Sequence, residues 1–139
     1  MARTTFNGPV SSLNGFIPGH QVTTNNAINA TATATAAQVA TGYITSTSAA
    51  ATTITLPTGT ALGNLLGATQ GTSLDLYIDN TAGANTVTIA VNTNAILSTA
   101  AADSATSFGD LTVASGVTGV ARYTIMFSSP TAYVFTRTA

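Results

Sequence analysis

Apolar and polar residues alternate most regularly over residues 74–91, LDLYIDNTAGANTVTIAV. Leu74, Leu76 and Ile78 alternate with Asp75, Tyr77 and Asp79, and Val87, Ile89 and Val91 alternate with Thr86, Thr88 and Ala90. A period of two places each apolar set on one face of a strand. The Asn, Gly and small residues at 80–85 suit a turn that visits positive φ, so the pattern predicts a β-hairpin. A second hairpin is predicted near the C-terminus. In VARYTIMFSS, Ala121, Tyr123, Ile125 and Phe127 share one face and Arg122, Thr124 and Met126 the other. Ser-Ser-Pro-Thr at 128–131 makes the turn, and Tyr133 and Phe135 return in phase.

Shorter signals fill the rest. Residues 43–45 and 52–56 read as strands, the second stopped by Pro57, and 108–114 as another, with Phe108, Leu111 and Val113 as core contacts. Leu62, Leu65 and Leu66 stand at helical spacing and predict a short helical turn capping the sheet. Residues 95–105 read as a small-residue connector, and Gly116 and Gly119 bracket a turn. Over 27–42, β-branched Thr31, Thr33 and Thr35 at every second position favour extended structure, although alanine richness favours helix. Ahead of this lie the breaker dipeptides Gly8-Pro9, Asn14-Gly15 and Pro18-Gly19 with Phe6, Val10, Leu13, Phe16 and Ile17 between them. That is too apolar for a solvated tail and reads as an arm that docks into grooves through those five side chains. Short strands separated by Gly, Asn, Ser and Pro turns predict an all-β fold, an antiparallel β-sandwich or jelly-roll-like barrel with an extended N-terminal arm. The expected division is an arm with the Ala/Thr-rich segment at 1–41 and a β domain at 42–139.

Charge is the most unusual feature of the composition. The chain has three Arg, no Lys, four Asp and no Glu, 5% charged residues against roughly 25% in ordinary globular proteins. Its polar surface is built instead from hydroxyls and amides, with 29 Thr among 139 residues. Such a surface exchanges hydrogen bonds with a neighbour without burying charge, and this points to a protein that lives packed against others. Arg3, Arg122 and Arg137 supply no basic stripe for a nucleic-acid backbone. No apolar run approaches the roughly 18 residues of a membrane span, and the opening MARTTFNGPV lacks a signal-peptide core. The absence of cysteine excludes disulfides and thiolate metal sites. An Asn-Ala-Thr sequon at Asn29 carries no weight in so Asn- and Thr-rich a chain.

Few residues could carry chemistry. His20, the sole histidine, sits in the arm without a positioned partner or a G-x-S-x-G nucleophile motif. Asp75 and Asp79 share a strand face about 13 Å apart, too far for a cooperating carboxylate pair. They are expected to face solvent or a neighbouring subunit. Asp79, Asn80 and Asn85 offer oxygen ligands of the kind calcium takes, but their spacing fits no known loop and turn chemistry explains them better. Asp103 and Asp110 could do the same with no stronger support. Arg122 and Arg137 could pair with an Asp of a neighbouring strand or chain. Lectin activity is not indicated without exposed aromatic loops. The expectation is therefore no enzyme, no cofactor and no metal.

The opening RTTFNGPVSSLNGFIPG, residues 3–19, resembles the F-x-G-P-V-x-S-x-N-G-F start of small virion structural proteins of tailed bacteriophages. TITLPTGTALGNLLGATQGTSLDLYIDNTAGANTVTIAV at 53–91 is similar to the β domain those proteins carry, and GVARYTIMFSSPTAYVFTRT completes the likeness. The resemblance implies a capsid decoration, or cement, protein on the capsid exterior. Its partner would be the major capsid protein lattice, and it would be a homo-oligomer, commonly a trimer. In that picture Phe6, Val10, Leu13, Phe16 and Ile17 anchor the arm by burial, on the order of 2 kcal/mol for each large side chain. Two other classes compete: a receptor-binding or tail-fibre module for host-surface glycans, and an extracellular fibre subunit joined by strand addition.

Overall fold

In the computed structural model the described residues are 26–97 and 111–139. They are mostly β-strand, in two sheets that share one hydrophobic core, with few helices. The elements in chain order are β1 (Ala32–Thr33), α1 (Ala36–Ala40), β2 (Tyr43–Thr45), β3 (Thr52–Thr55), α2 (Gly59–Leu66), β4 (Ser73–Asp79), β5 (Val87–Ala90), β6 (Ala95–Leu97), β7 (Thr112–Val113), a 3-10 turn (Gly116–Thr118), β8 (Val120–Ser129) and β9 (Ala132–Arg137). One sheet has four strands in the order β1-β3-β5-β7, and the other has five in the order β2-β4-β8-β9-β6. Phe6, Val10, Leu13, Phe16 and Ile17, expected to anchor the arm, lie outside the described residues, as do His20, Asp103, Phe108 and Asp110.

Two sequence expectations are corrected by this topology. Residues 74–91 do not form a hairpin: β4 belongs to the five-stranded sheet and β5 to the four-stranded one. Both apolar rows face the same core from opposite sides, and alternation records which face is buried but not which strand is hydrogen-bonded to it. Nor are the sheets antiparallel throughout. Four of the seven strand pairings, β1–β3, β2–β4, β3–β5 and β6–β9, are parallel. From β1 to β7 successive strands alternate between the two sheets. A strand in the far sheet therefore serves as the crossover that a parallel pair requires, where an α-helix would usually stand.

The C-terminal hairpin forms as its alternation dictates. Ala121, Tyr123, Ile125 and Phe127 of β8 and Tyr133 and Phe135 of β9 are all buried, whereas Val120 and Met126 are exposed. Phe127 stands opposite Tyr133 in the register, their ring centroids 5.5 Å apart and the planes tilted by 56°. Tyr123 and Phe135 pair diagonally at 6.0 Å. Tilted pairs at such spacing add to what area burial alone contributes. The buried Tyr133 hydroxyl donates to the Pro57 carbonyl at 2.7 Å, and burial pushes that phenol well above its ordinary pKa.

The Ala/Thr-rich segment becomes both a strand and a helix. Thr33 continues β1 alongside β3, and Thr35 then caps α1, accepting from the Gln38 backbone at 3.1 Å while Gln38 Oε1 accepts from the Thr35 backbone at 2.9 Å. This reciprocal pair satisfies two amide donors that the helix leaves open. Ile28, Ala34, Val39 and Ala40 join the core. The helical spacing of Leu62, Leu65 and Leu66 is realised in α2, where Leu62 is buried and Leu65 exposed. The connector read at 95–105 begins with a strand, β6, parallel to β9.

Candidate functional site

The outer face of the five-stranded sheet is the surface on which the polar members of the alternation gather. Register fixes its rows. Tyr43 of β2 stands opposite Tyr77 of β4, and Tyr77 opposite Arg122 of β8. Asp75 faces Thr124, which faces Thr136 of β9, and Asp79 faces Val120. At one end Ser73, Met126, Val134 and Ile96 run across β4, β8, β9 and β6. The face is rich in apolar surface: Tyr43, Tyr77, Val120, Met126 and Ile96 are each exposed by 40–53%. A largely uncharged row of side chains on a rigid sheet loses little on desolvation and no backbone freedom on contact.

Asp79 is the best-connected ion on this face. It accepts from the Tyr43 hydroxyl, from the Thr81 hydroxyl at 2.7 Å and from the Thr81 backbone at 2.9 Å. The bond from Tyr43, then those from Thr81, hold its carboxyl below the usual carboxylate pKa, and the same bond raises the Tyr43 phenol. A depressed carboxylate stabilises the fold above its unfolded pKa and loses that contribution as pH falls through the folded value. Tyr43→Phe is expected to move the Asp79 titration back up towards the ordinary range, read by NMR, with little change in stability at so exposed a site. A titration left where it was would show that Thr81 alone sets it.

Asp75 accepts from Thr124 Oγ1 at 2.7 Å, and Arg122 donates from Nε to Thr138 Oγ1 at 3.0 Å. Both Asp75 and Asp79 thus lie on the strand face expected from their spacing. Arg137 donates to the Thr112 carbonyl at 2.9 Å and to the Ala139 carbonyl at 3.0 Å, tying β9 to β7 across the two sheets.

The turn group read as oxygen ligands has a different occupation. Asn80 is wholly buried and sends Nδ2 to the carbonyls of Asn85 (2.8 Å), Val113 (3.2 Å) and Ala114 (3.0 Å), and its backbone N–H donates to Gly119 at 2.6 Å. It joins the end of one sheet to the other. Its Oδ1 lacks a hydrogen-bond donor and lies against Gly83, where a Cβ would collide with it. The glycine hydrogen in that place points at the oxygen, a weak Cα–H···O contact. Asn85 donates to the Ala49 carbonyl. Among the described residues no three His, Cys, Asp or Glu side chains come together as a metal-ligand set, and no helix is long and apolar enough to cross a membrane.

Sequence reasoning missed the exposure of Tyr43 and Tyr77, which it took as part of a strand pattern. The signal was present, since Tyr77 falls between Asp75 and Asp79 on the polar beat. Comparison with known proteins adds nothing to the geometry: no family model, curated protein or solved structure matches the chain.

Proposed function

We propose that this chain is a non-enzymatic virion structural protein of the capsid-decoration type, a homo-oligomer seated on the exterior of a capsid and stabilising the lattice of its major capsid protein. In this reading the two sheets around one core are a sandwich-like body, and the N-terminal segment carrying Phe6, Val10, Leu13, Phe16 and Ile17 is the arm that anchors it. What supports the reading, beside the resemblance, is the outer face of the five-stranded sheet, which exposes Tyr43, Tyr77, Met126 and Ile96 in a chain with only 5% charged residues. Charge-poor, partly apolar surface of this kind marks contact with other protein.

The test is co-sedimentation of the purified protein with capsid shells stripped of their decoration, followed by thermal unfolding of the shells. Saturable binding with a raised shell unfolding temperature is the expected result. Deletion of residues 1–19 is expected to leave a folded body, by circular dichroism, that no longer pellets with the shells. Failure of the full chain to bind, or binding to host-surface glycans in its place, would overturn the reading.

A further inference from the structure

We infer that the outer face of the five-stranded sheet is a self-complementary surface on which two copies of this chain pack face to face about a two-fold axis. The inference rests on the self-association in the proposed function, not on the capsid, and it takes two copies in place of the three that the resemblance implies.

Asp75 and Arg122 lie on adjacent antiparallel strands, Asp75 opposite Thr124 and Arg122 opposite Tyr77. They are diagonal neighbours, at a Cα separation of about 7–8 Å that an arginine side chain can span. They nevertheless do not pair with each other. Arg122 is drawn to the other side by Thr138 on the continuation of β9, and Asp75 takes the Thr124 hydroxyl. One carboxylate and one guanidinium are therefore presented side by side in a surface otherwise made of tyrosine, threonine, valine, methionine and isoleucine, with the Asp79 carboxylate engaged by Tyr43 and Thr81.

A two-fold axis lying in the contact plane, midway between the two groups, sets Asp75 of each copy against Arg122 of the other. In an isologous interface residue i meets j and j meets i, so one unpaired couple per chain becomes two ion pairs per dimer. The same axis brings the Tyr43–Tyr77 row of one copy onto that of its mate, and tyrosine is among the side chains that most often anchor such contacts. The extent is sufficient. Strands about 4.8 Å apart and side chains advancing about 3.3 Å per residue give a five-stranded face roughly 24 Å by 23 Å. Two such faces bury on the order of 1,000 Å², the lower bound of a specific interface.

The experiment is sedimentation equilibrium of the full chain and of three variants. The wild type is expected at twice the chain mass. Asp75→Arg and Arg122→Asp each set like charges against each other twice per dimer and are expected to weaken self-association by roughly 100-fold or more. The double variant, Asp75→Arg with Arg122→Asp, restores opposite signs and is expected to return to the dimer mass. Circular dichroism and thermal melts establish that each variant is folded; a variant that is not is replaced by Asp75→Lys or Arg122→Glu. A wild-type monomer, a trimer, or a dimer indifferent to both single changes would overturn the inference. Shell binding by the same four proteins is scored separately, so that a lost dimer with intact capsid binding, or the reverse, shows which reading has failed.

Discussion

Asn80→Ala is expected to lower the unfolding free energy by about 2–4 kcal/mol, because it takes the donor from the buried Val113 carbonyl and from the partly buried Asn85 and Ala114 carbonyls and leaves a void in their place. The Asn80 amide serves the carbonyls of Asn85, Val113 and Ala114, which belong to the approach to β5 and to β7 and its exit, whereas its own backbone closes β4. A single side chain thus joins the five-stranded sheet to the four-stranded one at the point where the chain crosses between them. In thermal unfolding the loss corresponds to roughly 10 °C or more. Asn80→Asp is the sharper test, since a carboxylate has no donors for those three carbonyls and its charge has no partner there. It is expected to cost more than alanine at neutral pH and to recover part of the loss as the pH falls and the buried acid protonates. A cost below about 1 kcal/mol for Asn80→Ala would mean that the strand pairings alone hold the junction.

The same crossover marks the limit of what the sequence makes legible. Burial was readable along the strands: Leu76, Ile78, Val87, Ile89, Tyr123, Ile125 and Phe127 are all in the core that alternation assigns to them, whereas Leu74 is half-buried and Val91, one residue beyond the end of β5, is exposed. Pairing was readable only where the turn is short. Two residues, Pro130 and Thr131, leave β8 and β9 nowhere to go but against each other, and they pair. Residues 80–86 are long enough for either a hairpin or a passage to the other sheet, and the two leave the same apolar pattern. What decides is the amide of Asn80, whose partners at Val113 and Ala114 lie more than thirty positions away.

Parallel pairing was hidden for a related reason. Strands of two to four residues such as β1, β2 and β3 carry too few positions to show a direction, and their partners are separated from them by a strand of the opposite sheet. The helix at Ala36–Ala40 was legible in part. Thr35 and Gln38 stand at the capping-box spacing, a local signal that outweighs the preceding Thr alternation once it is read as a helix start. Of the candidate surface, the positions of Asp75, Asp79 and Arg122 followed from period two. The placing of Tyr43 beside Tyr77 did not, because it depends on the parallel register of β2 with β4.

Gly63→Ala tests how the helices and the C-terminal hairpin are joined, and its sign is the informative quantity. In an open helix, alanine in place of glycine stabilises by about 1 kcal/mol. Here Gly59 and Gly63, one turn apart on a single face of α2, let the helix backbone rest directly on the β8–β9 turn. A Cβ on Gly63 would collide with the Pro130 carbonyl oxygen and come within 3.2 Å of the Phe127 ring, and one on Gly59 would collide with the carbonyls of Thr131 and Asn94. Backbone atoms of a tight turn cannot swing aside as a flexible side chain can, so helix and turn must part. Overpacking of this kind costs about 1–3 kcal/mol, and the expected net result is destabilisation despite the gain in helix propensity. Asn64→Ala, next in the chain but on the exposed side of α2, is the control and is expected to be neutral or slightly stabilising. If Gly63→Ala instead raised the denaturation midpoint, α2 would not be seated on the turn. The hairpin that builds the centre of the outer sheet face would then be held by β4, β6 and the shared core without support from α2.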